Sequence, residues 1–159
     1  MTNLNTLMTT FVAYCKQLGP SETETNASPK SPTHRDSLLP ASTKREYLQL
    51  IQRYMLETKP HLDSNLTVTQ LANGMGISTH HLSHVINTEL DQNFFDFINN
   101  YRIADAKRIL DEDAQGKRSI TEVMYDVGFN SKSVFNTYFK KLTGMTPSQY
   151  RKRYAFKMA

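Results

Sequence analysis

The stretch "VTQLANGMGISTHHLSHVIN", Val68 to Asn87, places Gly76 between two groups of apolar residues that each recur at helical spacing. Leu71 and Met75 are four apart before the glycine, and Leu82 and Val85 three apart after it, so each group lines one face of a short helix. Ala72 is small enough to let two such helices cross closely, Ile77 fills the bend, and glycine takes a left-handed turn without strain. The pattern is helix, turn, helix, and it occurs twice. "ITEVMYDVGFNSKSVFNTYF", Ile120 to Phe139, repeats it with Val123, Val127, Gly128, Phe129, Val134 and Phe135, and the two glycines are 52 residues apart. One helical hairpin with a turn glycine is a common structural device, whereas two in tandem are far more specific.

The flanking sequence marks where helices begin. A capping box pairs a Ser or Thr with a Glu or Gln three residues later and satisfies two free backbone donors. Thr43 with Glu46, Thr67 with Gln70, Ser119 with Glu122, and Thr146 with Gln149 all fit, and Pro147 stands at a first helical position, where its missing N–H is harmless. Apolar periodicity then predicts helices over about 43–58, 67–74, 78–89, 93–111, 119–126, 131–142 and 146–156, with no convincing strand alternation. The expected fold is all-α: about seven helices, with helix-turn-helix units at about 67–90 and 119–142 joined by a long linker helix at about 93–111.

Residues 1–42 read differently. Leu4, Leu7, Met8, Phe11, Cys15 and Leu18 follow helical spacing, which predicts a short amphipathic helix within 1–18. The stretch from Gly19 to Ser42 is rich in Pro, Ser and Thr, buries too little apolar surface to offset its chain entropy, and reads as a flexible linker. The folded domain is therefore expected over 43–159. The uncharged opening lacks the basic start and long apolar core of a signal peptide and is too short and polar to span a bilayer. Cys15 is the single cysteine, so no intramolecular disulfide can form and a reducing, cytoplasmic setting fits. If the chain is the end of a longer one, the uncharged stretch could close a membrane segment and leave the rest as the cytoplasmic part of an attached protein.

Charge is distributed unevenly. The net charge is +4, a weak pointer by itself. After Asp126, however, no acidic residue occurs, while Lys132, Lys140, Lys141, Arg151, Lys152, Arg153 and Lys157 do. From Pro60 to Tyr101 there is no Lys or Arg at all. A one-sided basic end suggests a polyphosphate or another anionic surface.

"MYDVGFNSKSVFNTYFKKLTGMTPSQYRK", Met124 to Lys152, resembles the C-terminal signature of AraC/XylS-type transcription regulators at Gly128-Phe129, Phe135, Phe139-Lys140, Gly144, Pro147 and Tyr150-Arg151. "FFDFINNYRIADAKRIL" is similar to the linker helix of that family at Tyr101-Arg102-Ile103, Ala106 and Leu110. The resemblance covers about residues 43–156. It departs from the family pattern at Met124, where Ala is usual, and at Thr137, where Arg is frequent. It implies a sequence-specific regulator, or its DNA-binding fragment, that places two recognition helices in successive major grooves of promoter DNA. RNA polymerase follows as a partner. The effector is unknown, and a homodimer would form through the N-terminal region or through a sensor domain beyond this chain. Independently, a nineteen-residue linker helix measures about 28 Å at about 1.5 Å per residue, which suits two reading heads about one duplex turn, about 34 Å, apart.

The residues expected at the DNA follow from helix faces. With Leu82 and Val85 turned inward, Thr79, His80, Ser83 and His84 remain on the outer face of the first recognition helix, and Ser78 and Thr79 at its start offer hydroxyl and backbone donors to phosphate. On the second, Lys132, Asn136 and Lys140 form one row, with Ser133 and Thr137 beside it, Asn130 and Ser131 at the helix start and Lys141 near the end. Val134, Phe135, Tyr138 and Leu142 are expected to face the core. Asn and Lys can hydrogen-bond base edges, and the positive charges hold phosphates.

Other chemistry is weaker. His80 and His84 have the spacing of a zinc-binding pair, but the position that carries Glu in a zinc protease is His81, and no further ligands lie near. His81 is expected to pack at the helix start. "DEDAQGKRSITE", Asp111 to Glu122, mimics a calcium loop, yet Gln115, Lys117 and Arg118 oppose a cation and Ser119 competes for Glu122. No metal, cofactor or catalytic set is expected. The alternative reading is an all-α interaction module whose basic C-terminus binds an acidic protein or a membrane surface.

Overall fold

The computed structural model describes residues 39–113 and 115–155. The helix and linker predicted within 1–38 lie outside them. Seven α-helices occur among the described residues: α1 Ala41–Thr58, α2 Val68–Met75, α3 Thr79–Leu90, α4 Phe94–Glu112, α5 Ile120–Asp126, α6 Lys132–Thr143 and α7 Pro147–Ala155. Three of the four expected capping boxes form. The Gln70 N–H donates to Thr67 Oγ1 at 3.2 Å and the Thr67 N–H to Gln70 Oε1 at 2.8 Å. Ser119 with Glu122, and Thr146 with Gln149, make the same reciprocal pair. Each capping residue lies just outside its helix, so helices α2 to α7 begin one residue later than periodicity placed them.

The fourth box does not form. Helix α1 starts at Ala41 behind Pro40, with no side-chain cap. The Pro40 carbonyl accepts the Lys44 N–H at 3.0 Å, closing the first turn before Thr43 could cap anything. Proline at φ −54° and ψ 146° already delivers the chain in the geometry a helix start needs. A second departure follows α1. Lys59 takes a left-handed conformation (φ 46°), and Pro60–Leu62 form one turn of 3₁₀ helix that periodicity did not predict, being too short to show a period.

Packing divides into two clusters that share α4. Ile51, Met55, Leu71, Ala72, Leu82, Val85, Ile86 and Leu90 close on Phe97, Ile98 and Tyr101 from the first half of α4. Ile103, Ala106 and Leu110 from its second half join Val123, Met124, Val127, Phe129, Phe135, Phe139, Leu142 and Tyr150. Met124 is buried in the second cluster, so the thioether fills the place usually given to Ala. Phe135 and Phe139 are fully buried, each worth about 1.5–3 kcal/mol of transfer free energy. Val134 does not join them. It is 42% exposed, because in a helix whose inward line runs through Phe135, Phe139 and Leu142 it falls about 100° to the side.

Candidate nucleic-acid interface

Each helix-turn-helix unit presents its second helix outward. In the first, Gly76 turns at φ +68° and its N–H caps α2. Ser78 then caps α3, accepting the His81 N–H at 3.1 Å. The His81 ring packs 5.6 Å from the Tyr47 ring of α1, in the helix-start role expected of it. Outward stand His80, exposed, and Thr79 and Ser83, half-buried. His84 departs from expectation: it is half-buried, and its Nε2 is turned out of solvent without a hydrogen bond among the described residues. Its ring lies against that of His80, centroids 6.4 Å apart and planes 21° apart.

In the second unit Gly128 turns at φ +88° and Ser131 caps α6, accepting the Val134 N–H at 3.4 Å. Asn130, Lys132, Ser133, Thr137, Lys140 and Lys141 are exposed, and Asn136 is half-buried. Val134 adds an apolar side chain to this surface, a residue that sequence reasoning had assigned to the core. Lys141 is partly committed within the protein: Nζ lies 3.4 Å from Asp96 Oδ1 and 5.5 Å from the Tyr138 ring centroid. The Tyr138 hydroxyl donates to the same Asp96 oxygen at 3.0 Å. Burial, with Asp96 beside it, raises the Tyr138 phenol above its ordinary pKa and keeps it a donor. Asp96, itself capped by Asn93, thus ties α6 to the first turn of α4.

The remaining acidic residues have other work. Asp113 accepts the backbone N–H groups of Lys117 and Arg118, both at 2.9 Å, and these bonds, led by Arg118, lower its pKa. Glu122 is held in its capping box, which lowers its pKa too. Asp113 and Glu122 therefore bond backbone of the loop itself, while Asp111 accepts the Tyr150 hydroxyl at 3.3 Å and Glu112 pairs with Arg108 at 3.0 Å. Among the described residues no group of three or more His, Cys, Asp or Glu is placed to hold a metal ion. No described helix is long and apolar enough to cross a membrane.

Two helix-turn-helix units on one connecting helix, each offering a polar second helix, define a class of DNA-binding domain. The family model described as a helix-turn-helix domain matches residues 71–153, just over half of the chain. The chain belongs to this AraC-type helix-turn-helix family of DNA-binding transcription regulators. An HTH-type transcriptional regulator in the cgkA 5' region of Pseudoalteromonas carrageenovora is 28% identical over 125 residues, 76% of this chain and 72% of that protein. The arabinose operon regulatory protein of Escherichia coli is 32% identical over 89 residues, 56% of this chain but 30% of that protein. Among solved structures, the C-terminal domain of the two-component response regulator yesN from Fusobacterium nucleatum matches with a TM-score of 0.55 and 28% identity, covering 67% of this chain and 98% of that one.

Proposed function

We propose that this regulator reads double-stranded promoter DNA with α3 and α6 in successive major grooves, α4 setting their separation. The observation that carries this reading is the pair of outward second helices on one nineteen-residue connecting helix. Lys132, Ser133, Asn136 and Thr137 address bases in one groove, and Val134 suits the methyl group of a thymine. Thr79, His80, Ser83 and His84 address the other groove. Ser78, Asn130 and Ser131 at the helix starts, with Lys140 and Lys141, hold phosphates. The protein acts by binding rather than by catalysis, in the cytoplasm. RNA polymerase is its proposed partner on the promoter, and a homodimer forms through residues 1–42 or through a sensor region beyond this chain. The testing experiment is a mobility-shift titration on DNA from its own upstream region against scrambled competitor. Retention of the shift under scrambled competitor is the expected result. Equal loss to both DNAs would favour a basic interaction module instead.

A further inference from the structure

The two cores divide α4 between Tyr101 and Ile103, and Arg102 stands at the division. Its Nε donates to the His61 carbonyl at 2.7 Å and its Nη2 to the Asp63 carbonyl at 2.8 Å, both in the short turn after α1. Nη1 reaches Asn99 Oδ1 at 3.4 Å. The guanidinium also lies 5.4 Å from the ring centroid of Phe129, in the turn of the second unit. One side chain therefore joins the connecting helix, the first half's turn and the second half's turn.

The turn is braced from its other side. The His61 ring is buried against Tyr101, centroids 5.5 Å apart, and its Nε2 is 3.0 Å from Asp105 Oδ2. Lys59 Nζ lies 3.9 Å from the same oxygen. Opposite, a β-carbon on Gly128 would fall 2.5 Å from the His61 carbonyl oxygen and 2.8 Å from that of Leu62. The backbones of the two turns meet there with no side chain between them. A planar guanidinium bonded to two carbonyls fixes an angle as well as a distance, which a single-point donor does not.

We propose that Arg102, with the Pro60–Leu62 turn it holds against Gly128, is the positioning residue that sets the distance and angle between the two recognition helices, and so the half-site spacing the protein accepts. The proposal rests on the two-headed reading of DNA. Each recognition helix is fixed to its own core, so the halves are related through α4, the Asp96 tie to α6 and this seam. One base pair of added spacing moves a half-site by about 3.4 Å and turns it by about 35°, which a locked seam cannot follow.

The test uses the full chain and a duplex that it selects from a random pool, with derivatives carrying one base pair more or fewer between the halves. Moving one half out of register forfeits at least one base contact, so the unmodified protein is expected to bind the derivatives roughly tenfold more weakly or worse. Arg102→Ala should shrink that penalty to about threefold or less while binding single half-sites as before. Arg102→Lys, which serves one carbonyl at a time, should fall between, and it decides the matter if thermal melting shows that Arg102→Ala does not fold. An unchanged spacing penalty in folded variants overturns the proposal. So does a uniform loss on every duplex, the signature of a purely structural role. Selection of no bipartite site by the unmodified protein would instead bring down the two-headed reading itself.

Discussion

A β-carbon at position 128 would need φ near +88° and would press on two carbonyl oxygens of the 60–62 turn. Gly76 also has positive φ, but nothing lies within 4 Å of its β-carbon position. The two turn glycines therefore separate backbone strain from crowding. Gly76→Ala should cost about 1 kcal/mol, the left-handed penalty alone. Gly128→Ala should cost more, about 2–4 kcal/mol, since backbone must move as well. Urea unfolding of both variants measures the difference, and equal losses would mean that the turns do not touch. At the interface, Asn136 sits half-buried between Lys132 and Lys140 on α6. Asn136→Ala should cost about 1–3 kcal/mol on the preferred duplex and relax base preference at one or two positions. Equal losses on preferred and random DNA would assign it to the phosphate backbone.

Helices were legible where their starts carried side-chain caps. Thr67, Ser119 and Thr146 announced α2, α5 and α7, because a capping box is written in two residues at fixed spacing. Thr43 with Glu46 had the same spelling and did nothing, since Pro40 had already set the helix start two residues earlier. The 60–62 turn left no periodic trace, and its importance comes from carbonyls, which every residue has. The core face of α6 was read correctly at Phe135 and Leu142, in part at Tyr138, which is half-buried against the same cluster, and wrongly at Val134, whose apolar character says nothing of its angle. His84 erred the other way, being polar yet half-buried. Lys140 and Lys141 are adjacent in α6 but differ in circumstance, Lys141 being drawn to Asp96. Replacing both with Ala should flatten the salt dependence of binding, whose log-log slope changes by about 0.9 for each phosphate left unneutralised. Lys140 should supply the larger share, and an unaltered slope would mean that neither lysine neutralises a phosphate.

Across the whole molecule, Asp105 of α4 meets His61 and Lys59 of the turn after α1, and this contact makes stability depend on pH. The hydrogen bond from His61 lowers its pKa most; burial opposes this, and Lys59, His61 and Arg108 add to the lowering. A carboxylate with a lower pKa folded than unfolded stabilises the fold above the unfolded value, about 3.9, and this contribution is lost as pH falls through the folded value. Asp105→Asn should therefore be less stable than the unmodified protein near pH 6, and the gap should close as pH drops below the carboxylate range. Urea midpoints across that range are the check, and a gap that stays constant would show that ionisation of Asp105 contributes nothing.

The absence of Lys and Arg between Pro60 and Tyr101 has a kinetic meaning when set against the acid-free stretch after Asp126. Long-range attraction acts on the second half, so collision with DNA and sliding along it are governed there, at a rate that falls with ionic strength. The first half exerts little pull at a distance and engages only after arrival. Base contacts under both recognition helices are then expected to govern how long the complex lasts. The charge asymmetry thus predicts that base changes under the first half should lengthen or shorten dwell times while leaving the rate of encounter alone, whereas removing charge from the second half should slow encounter.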